Sequence, residues 1–394
     1  MANDAAEHPL IIIGSGMAGY NVAREFRKLN TTAELLIIAD DAAEFYSKPM
    51  LSNALVKNKT SKELAIATAE KMAGDLNATI LTHTRVIKIN PENHSVITSD
   101  NKSLHYSQLV LALGASTIDL SLPGNAADKI HAVNDLASYA DFRDAISTKK
   151  KIAIIGSGLI GCEFANDLAL SGFDVSVIGL DKFPLDRLLP EQAGQYLKTA
   201  LAEQGIDWHL GYKTTQINFS ESVFKIDLES RTSTDKNTCI EADVVLIAVG
   251  LKANVQIAEN AGININKGIV VNQYLETNHK GIFALGDCAE VNGLFLPFVM
   301  PLMNSARALA KTLNGDTTMV KYPAMPVIVK TPSCPVVVAP AASGVNGEWN
   351  IKKDDAGVHA QYLDDSGKLQ GYALVGKAVE HKQSLTKELP AVLN

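Results

Sequence analysis

The chain of 394 residues contains only four cysteines, and no two of them are close together in the sequence. Cys162, Cys239, Cys288 and Cys334 form no C-x-x-C or similar pair. This spacing predicts neither a disulfide framework nor a zinc site, so we expect no metal. It also excludes the paired thiols that flavoproteins use to reduce disulfides.

Long apolar runs and long basic runs are also missing. No segment approaches the roughly 20 apolar residues that a membrane-spanning helix needs, and residues 1–9 are polar and unlike a signal peptide. The longest basic run is Lys149-Lys150-Lys151, and the formal net charge is -7, which argues against nucleic acid as the main partner. We therefore expect a cytoplasmic protein without membrane insertion.

The first strong pattern lies between Leu10 and Asp40. An apolar run at 10–13 is followed by Gly14-Ser15-Gly16-Met17-Ala18-Gly19, a helical segment to Leu29, a second apolar run and then Asp40. This order of strand, glycine turn, helix, strand and acid is typical of a dinucleotide-binding unit. The glycines allow the tight turn and the approach of a pyrophosphate, and Asp40 is expected to bind a ribose diol.

The same pattern returns about 140 residues later. The apolar run at 151–155 leads into Gly156-Ser157-Gly158-Leu159-Ile160-Gly161, a helix to Leu170 and a strand to Ile178. Gly179 stands where the ribose acid is expected, and Asp181 follows two residues later. We favour NAD over NADP for this unit, although Lys182 and Arg187 keep NADP open.

Further short motifs are candidate parts of a nucleotide site. Two apolar runs end in glycine, as Ala112-Leu113-Gly114 and Ala248-Val249-Gly250, which permits a close approach of the backbone. The sequence Gly286-Asp287 places an acid either beside a polyol or at a helix cap, and the residues alone do not separate these roles. Lys48, held extended by Pro49, is either a solvated surface lysine or a group at the edge of a flavin.

The predicted fold class is α/β, with two Rossmann-like dinucleotide-binding domains and a small C-terminal α+β domain. Residues 1–115 and 250–320 are expected to form a discontinuous FAD-binding domain, and residues 116–249 an NAD-binding domain. Alternating apolar and polar residues over 79–111 predict an antiparallel ribbon. Helices are predicted to run through Leu55, after the loop that holds Lys48, and to begin near Met303, after Pro301. From Tyr322 onward prolines interrupt β-rich runs, so residues 321–394 are predicted to form the third domain.

Two dinucleotide sites in one chain suggest tightly bound FAD together with a nicotinamide dinucleotide that binds and dissociates. A flavin accepts a hydride and later releases electrons singly. Because the chain lacks a cysteine pair, the electrons must leave the flavin directly, for a protein redox carrier, a quinone or oxygen.

Taken together, these motifs resemble the pyridine nucleotide-disulfide oxidoreductase superfamily, in its branch without redox cysteines. Within that branch, the segments Tyr46-Ser47-Lys48-Pro49-Met50-Leu51-Ser52 and Val329-Lys330-Thr331-Pro332-Ser333-Cys334-Pro335 are similar to those of rubredoxin–NAD(+) reductases. The resemblance covers nearly the whole chain. It implies NADH as electron donor, FAD as cofactor and rubredoxin as one-electron acceptor, in an alkane hydroxylase system.

The resemblance also implies roles for individual residues. Lys48 would lie near the flavin N5 and pair with Glu163, and Lys330 would stabilise the reduced flavin at its N1/O2 edge. The remaining expected cofactor contacts come from the glycine motifs and their acids: Gly14, Ser15, Gly16, Met17, Ala18, Gly19, Asp40, Ala112, Gly114 and Asp287, with Gly286, for FAD, and Gly156, Gly158, Gly161, Asp181 and Gly250 for NADH.

Two rival interpretations remain at this point. A reductase of a [2Fe-2S] ferredoxin would share the fold and the flavin but meet a different partner. A non-enzymatic flavin-binding redox sensor or structural protein would share the fold and the flavin but not the activity. For an acidic rubredoxin we expect a local basic patch near the flavin and binding that salt weakens.

Overall fold

The computed structural model describes residues 8–232, 236–342 and 344–394. Within these ranges no helix is both long and apolar enough to cross a bilayer. The helices are α1 (Met17–Leu29), α2 (Ser61–Leu64), α3 (Ala69–Leu76), α4 (Leu136–Ile146), α5 (Leu159–Leu170), α6 (Glu191–Ala202), α7 (Gln256–Glu259), α8 (Val299–Leu313) and α9 (Lys382–Glu388).

The strands fall into three stretches of the chain. The first stretch holds β1 (Leu10–Ile13), β2 (Leu35–Ile38), β3 (Phe45–Tyr46), β4 (Ala65–Ala67), β5 (Thr79–Leu81), β6 (Val86–Asn90), β7 (Ser95–Thr98), β8 (Ser103–His105), β9 (Gln108–Leu111) and β10 (Ala115–Thr117). The second holds β11 (Lys151–Ile155), β12 (Asp174–Gly179), β13 (Ile206–Leu210), β14 (Tyr212–Ser220), β15 (Val223–Ser230), β16 (Thr238–Ala242) and β17 (Val244–Ile247). The third holds β18 (Leu251–Ala253), β19 (Ile269–Val271), β20 (Ile282–Ala284), β21 (Ala289–Val291), β22 (Val327–Val329), β23 (Val336–Ala339), β24 (Gly347–Asp354), β25 (Gly357–Asp364) and β26 (Leu369–Gly376).

The first sheet is parallel, with strand order β20-β9-β1-β2-β5. Every side chain of β1 and β2 is buried, which explains why these strands are continuous apolar runs rather than alternating ones. The strands β6, β7 and β8 form the antiparallel ribbon that their alternating sequence predicts. Because β20 comes from late in the chain, the second glycine-turn unit is inserted within the sequence of the domain that this sheet forms.

The second parallel sheet has the order β13-β12-β11-β17. It is joined to the first by the antiparallel pair β10 and β18, in which Ala115 lies opposite Ala253. The two chain segments that connect the parallel sheets therefore run side by side. The antiparallel sheet β14-β15-β16 packs beside the second sheet through a shared apolar cluster.

The C-terminal sheet is antiparallel, with order β22-β23-β26-β25-β24. Apolar side chains on one of its faces, such as Val336 and Val375, share a core with α5 and the second parallel sheet. The opposite face packs on α9 through Leu385. This arrangement presses the turn between β22 and β23 against α5, the helix that follows the second glycine motif.

The predicted fold class agrees with this architecture, but two local expectations change. The last long helix was expected near Met303, after Pro301, and it begins at Val299 instead. Pro301 is tolerated in the first helical turn, where backbone N–H groups have no partner within the helix. The segment Lys48–Asn53 is a 3-10 helix.

Gly19→Ala should destabilise the protein. A Cβ at Gly19 would lie 3.0 Å from the carbonyl carbon of Gly14 and closer still to its oxygen, so α1 must move away from the glycine turn. We expect a loss of about 1–3 kcal/mol in the free energy of unfolding, measured by denaturant titration of the apoprotein.

Gly74→Ala is the matched control. Nothing lies within 4 Å of a Cβ there, and alanine in a helix should add about 0.5–1 kcal/mol. Equal effects of the two changes would contradict this account.

Candidate functional site

The two glycine turns have the same backbone geometry. The N–H of Gly14 donates to the carbonyl of Ile38 (2.9 Å), and that of Gly156 donates to the carbonyl of Ile178 (2.7 Å). Both glycines have positive φ, 109° and 123°, which disfavours any other residue. In contrast, a Cβ at Gly16 or Gly158 would meet nothing within 4 Å. Each turn thus leaves open space at the start of a helix, and this cradle fits a pyrophosphate.

A serine and an aspartate accompany each turn. Ser15 Oγ donates to Asp41 Oδ1 (3.3 Å), and Ser157 Oγ donates to Asp181 Oδ2 (2.9 Å). Each aspartate lies three residues beyond the isoleucine whose carbonyl binds the turn. The two units are therefore equivalent down to this side-chain contact, which the sequence interpretation missed. The sequence did carry a signal for this contact. Both motifs have a serine at the same place and an aspartate at the same distance from the strand end.

Asp40, the predicted ribose acid of the first unit, lies exposed beside Arg85, with Nε and Oδ2 3.4 Å apart. Its neighbour Asp41 is the carboxylate that contacts the glycine turn. The ribose role of Asp40 stays a prediction, and the geometry adds Asp41 as a second candidate.

Ser157 explains the glycine at position 179. A Cβ on Gly179 would lie 2.8 Å from Ser157 Cβ and would overlap its hydroxyl. By position along the strand, Gly179 corresponds to Ala39 and Leu180 to Asp40, and Asp181, the counterpart of Asp41, accepts the hydrogen bond from that hydroxyl. Asp186 is close to Asp181, and its pKa is raised, first by burial and then by the charge of Asp181. Two acids thus lie at the point where an adenosine ribose is expected.

Lys48 is half-buried near Asp287. Burial lowers the pKa of Lys48 and the charge of Asp287 opposes this, whereas burial raises the pKa of Asp287 and Lys48 opposes that. The Lys48 ammonium donates to Asn134 Oδ1 (3.2 Å), and Asn134 Nδ2 donates to the carbonyl of Ala115 (2.9 Å). The structure brings Lys48 and Asp287 together as candidate site residues and adds Asn134, which no motif marked.

The predicted pair of Lys48 and Glu163 is wrong in this structure. Glu163 is fully buried and pairs with the ammonium of Lys330 instead. It also accepts from Ser52 Oγ (2.5 Å) and from the backbone N–H of Lys330 (2.8 Å). The reason is topological, because the C-terminal sheet places the turn after β22 directly against α5. Lys48 is turned toward Asn134 and Asp287.

Two further polar residues on α5 contact neighbouring segments. Asn166 Nδ2 donates to Ser333 Oγ (2.7 Å), and the N–H of Ser333 donates to Asn166 Oδ1 (3.2 Å). Asp167 accepts from the backbone N–H groups of Leu55 (2.9 Å) and Val56 (3.2 Å). Both residues are buried, and neither was predicted.

The other predicted cofactor residues lie around the two turns. Ala112 faces Gly14, and Ala248 faces Gly156. A Cβ on Gly286 would lie 2.8 Å from that of Ala18, so the Gly286-Asp287 turn abuts the start of α1. Gly114 and Gly250 lie next to the β10–β18 pair, where their carbonyls accept from Asn254 (3.1 Å) and Ile118 (3.1 Å). Met17, Gly19 and Gly161 lie in the first turns of α1 and α5.

All four cysteines lie in the described part of the chain and are free. Burial raises the pKa of Cys288 to about 12 and that of Cys334 to about 11, and it also raises that of Cys162. These thiols are protonated at neutral pH and therefore weak nucleophiles.

Asp167 should make stability depend on pH. Burial raises its pKa to about 6, although the two backbone N–H groups that it accepts oppose the shift. A pKa raised above the unfolded value, about 3.9, means that the native state binds more protons between pH 4 and 6, so stability falls as pH rises through that window. In Asp167→Asn this fall, at most about 3 kcal/mol, should disappear when unfolding free energies are compared at pH 4 and pH 7.

The exposed Asp144 on α4 offers a control for that comparison, because Asp144→Asn should leave the pH dependence as in the wild type. An Asp167→Asn variant with the full wild-type dependence would contradict the assignment.

Comparison with known proteins places these features in context. Residues 8–311 match the family model described as pyridine nucleotide-disulphide oxidoreductase, and residues 319–389 match the rubredoxin binding C-terminal domain. The chain is 45% identical to the rubredoxin-NAD(+) reductase of Alcanivorax borkumensis, with 98% of this chain and 100% of the relative covered. It is also 45% identical to the enzyme of the same name from Acinetobacter baylyi, with 98% and 99% covered.

Solved structures show the same fold. The ferredoxin reductase for the CYP199A2 system of Rhodopseudomonas palustris superposes with a TM-score of 0.86 at 26% identity, covering 98% of this chain and 96% of that one. The NADH:rubredoxin oxidoreductase of Clostridium acetobutylicum superposes with a TM-score of 0.80 at 21% identity, covering 97% and 94%. The predicted fold class and the resemblance to rubredoxin–NAD(+) reductases are confirmed.

Proposed function

Because the chain belongs to the pyridine nucleotide-disulphide oxidoreductase family and carries a rubredoxin-binding C-terminal domain, we propose that it transfers electrons from NADH through FAD to rubredoxin. One observation carries the proposal in this chain. Lys330 of the C-terminal domain contacts Glu163 on α5, the helix that starts at the second glycine turn. The partner-binding domain and the nicotinamide unit thus meet at one ion pair.

FAD is assigned to the first unit. Gly14, Gly16 and Gly19 form the cradle for its pyrophosphate, Asp40 or Asp41 binds its ribose, and Asp287 binds its ribitol. The open space at Gly16 and the half-buried Lys48 and Asp287 fit such a group. Bound FAD would take up the two electrons of a hydride and release them singly.

The chain's own side chains supply charge and orientation. Asn134 holds the ammonium of Lys48 in place near Asp287, at the position assigned to the flavin edge. Lys330, with 28% of its side chain exposed, contributes a positive charge at the boundary between the interior and the partner surface. Such a fixed charge stabilises negative charge that develops during reduction.

NADH is assigned to the second unit, around Gly156, Gly158 and Gly161. Asp181, fixed by Ser157, accepts hydrogen bonds from the adenosine ribose, and Gly250 lies at the facing strand end. We assign residues 1–115 and 250–320 to the FAD-binding domain, 116–249 to the NAD-binding domain and 321–394 to the C-terminal domain. We also propose that the protein works in the cytoplasm, where NADH is available, and that its rubredoxin serves an alkane hydroxylase.

A [2Fe-2S] ferredoxin is the second candidate acceptor, because the reductase from Rhodopseudomonas palustris has the same fold at 26% identity. The two acceptors are separated by mixing the FAD-loaded protein with NADH and then with rubredoxin or a [2Fe-2S] ferredoxin, while cytochrome c reduction is followed. We expect NADH to bleach the flavin, rubredoxin to support rapid cytochrome c reduction, and ferredoxin to support little.

Salt should slow the rubredoxin reaction if a basic patch guides an acidic partner. Faster turnover with ferredoxin would contradict the proposed acceptor. A flavin that NADH cannot bleach would contradict the enzymatic function and favour a redox sensor.

Asp181→Asn should weaken discrimination against NADPH. The carboxylate of Asp181 accepts hydrogen bonds from a ribose diol and repels a 2′-phosphate. The neutral amide of asparagine does not repel the phosphate. We expect kcat/KM for NADH to fall about tenfold, with a smaller fall or a rise for NADPH, in steady-state assays with ferricyanide.

The control for this substitution is Asp174→Asn. Asp174 is an exposed acid at the opposite end of β12, and its substitution should leave both kcat/KM values unchanged. An unaltered NADH to NADPH ratio in Asp181→Asn would contradict the assignment.

A further inference from the structure

Three polar residues occupy one face of α5. Glu163, Asn166 and Asp167 are spaced i, i+3 and i+4, which places them side by side on a helix. All three are buried, with exposed fractions of 0%, 0% and 2%. Buried polar side chains nearly always have hydrogen-bond partners, so we expect each of these three to bind a neighbouring segment of the chain.

The face holds two different segments. Asp167 binds the backbone at Leu55 and Val56. Asn166 binds both the hydroxyl and the backbone N–H of Ser333, and Glu163 binds Lys330 at the other end of the same turn. Residues 330–333 are therefore fixed to α5 at both ends, by side chains of α5 that bind both backbone and side-chain groups of the turn.

The Asn166–Ser333 contact differs from the ion pair in what it can do. Lys330 is the partly exposed member of the site, and its ammonium alone could swing away from Glu163 on a flexible stem. The two-way amide contact fixes the backbone of the turn three residues further on. The Asn166–Ser333 contact therefore restricts the position of the Lys330 Cα atom, from which the flexible side chain extends.

We propose that Asn166 and Ser333 are positioning residues, which fix the 330–333 turn of the rubredoxin-binding domain so that Lys330 is held against Glu163, at the place where rubredoxin receives electrons. The inference rests on the proposed function. It assigns Asn166 and Ser333 no part in binding FAD or NADH, because neither contacts a glycine turn, Lys48 or Asp287. Loosening the turn should thus impair electron exit more than hydride entry.

The test uses Asn166→Ala, Ser333→Ala and the double variant in the FAD-loaded protein. Ser333→Ala leaves the buried Asn166 Nδ2 without its partner, and Asn166→Ala removes both contacts of the half-buried Ser333, so we expect the rubredoxin reduction rate to fall about tenfold. The rate of flavin bleaching by NADH and the NADH–ferricyanide activity should stay within about twofold. Because the residues act as a pair, the double variant should be little worse than either single one.

A second readout does not depend on the acceptor. Backbone amides at 330–334 should exchange hydrogen for deuterium about tenfold faster in both single variants. Ser384→Ala is the matched control, since Ser384 is an exposed serine of α9 in the same domain, and it should change neither rate nor exchange.

Ser333→Thr keeps the hydroxyl and should retain at least half of the wild-type rubredoxin rate. FAD content and the thermal midpoint report whether each variant is folded. Unchanged exchange in folded Asn166→Ala and Ser333→Ala would overturn the positioning role. Faster exchange in the variants would support the positioning role whichever acceptor the wild type reduces. If the wild type reduces ferredoxin but not rubredoxin, only the proposed acceptor is contradicted.

Discussion

The buried carboxylate of Glu163 is the interaction on which the rest of the site depends. It lies on the helix of the second nucleotide unit and accepts hydrogen bonds from Ser52 of the first unit and from the backbone and ammonium of Lys330 in the C-terminal sheet. Removing an ionised carboxylate from water costs several kcal/mol unless it is paired and hydrogen-bonded. Here the compensating groups come from three parts of the chain, so the carboxylate can be buried only when those parts are correctly assembled.

The two glycine turns provide the second constraint. Each begins with a glycine at positive φ, opens a helix, and uses a serine to hold an aspartate beside the phosphate cradle. The same local physics therefore produces two cofactor sites. What distinguishes the units is their surroundings: the first faces Lys48 and Asp287, and the second carries α5 with its row of buried polar groups.

The sequence predicted the parts of the structure that depend on local pattern. Both strand–turn–helix units, the antiparallel ribbon and the small C-terminal domain follow from apolar periodicity and glycine spacing. The partner of Glu163 could not be predicted in this way, because Lys330 is 167 residues away and meets it only through the packing of the C-terminal sheet. Asn134, Asn166 and Ser333 were missed for the same reason. The contact of Ser157 with Asp181 was in principle readable, since Ser15 and Asp41 form its counterpart in the first unit.

The central claim is that Glu163 and Lys330 form one coupled unit that joins the parts of the protein. The most direct measurement is a double-mutant cycle on the free energy of unfolding with Glu163→Gln, Lys330→Met and the double variant. Lys330→Met leaves the buried carboxylate without its cation and should cost about 3 kcal/mol or more. The double variant should lose less than the sum of the single losses, by about 1–3 kcal/mol. Additive losses would show that the two residues act independently, and would contradict the account.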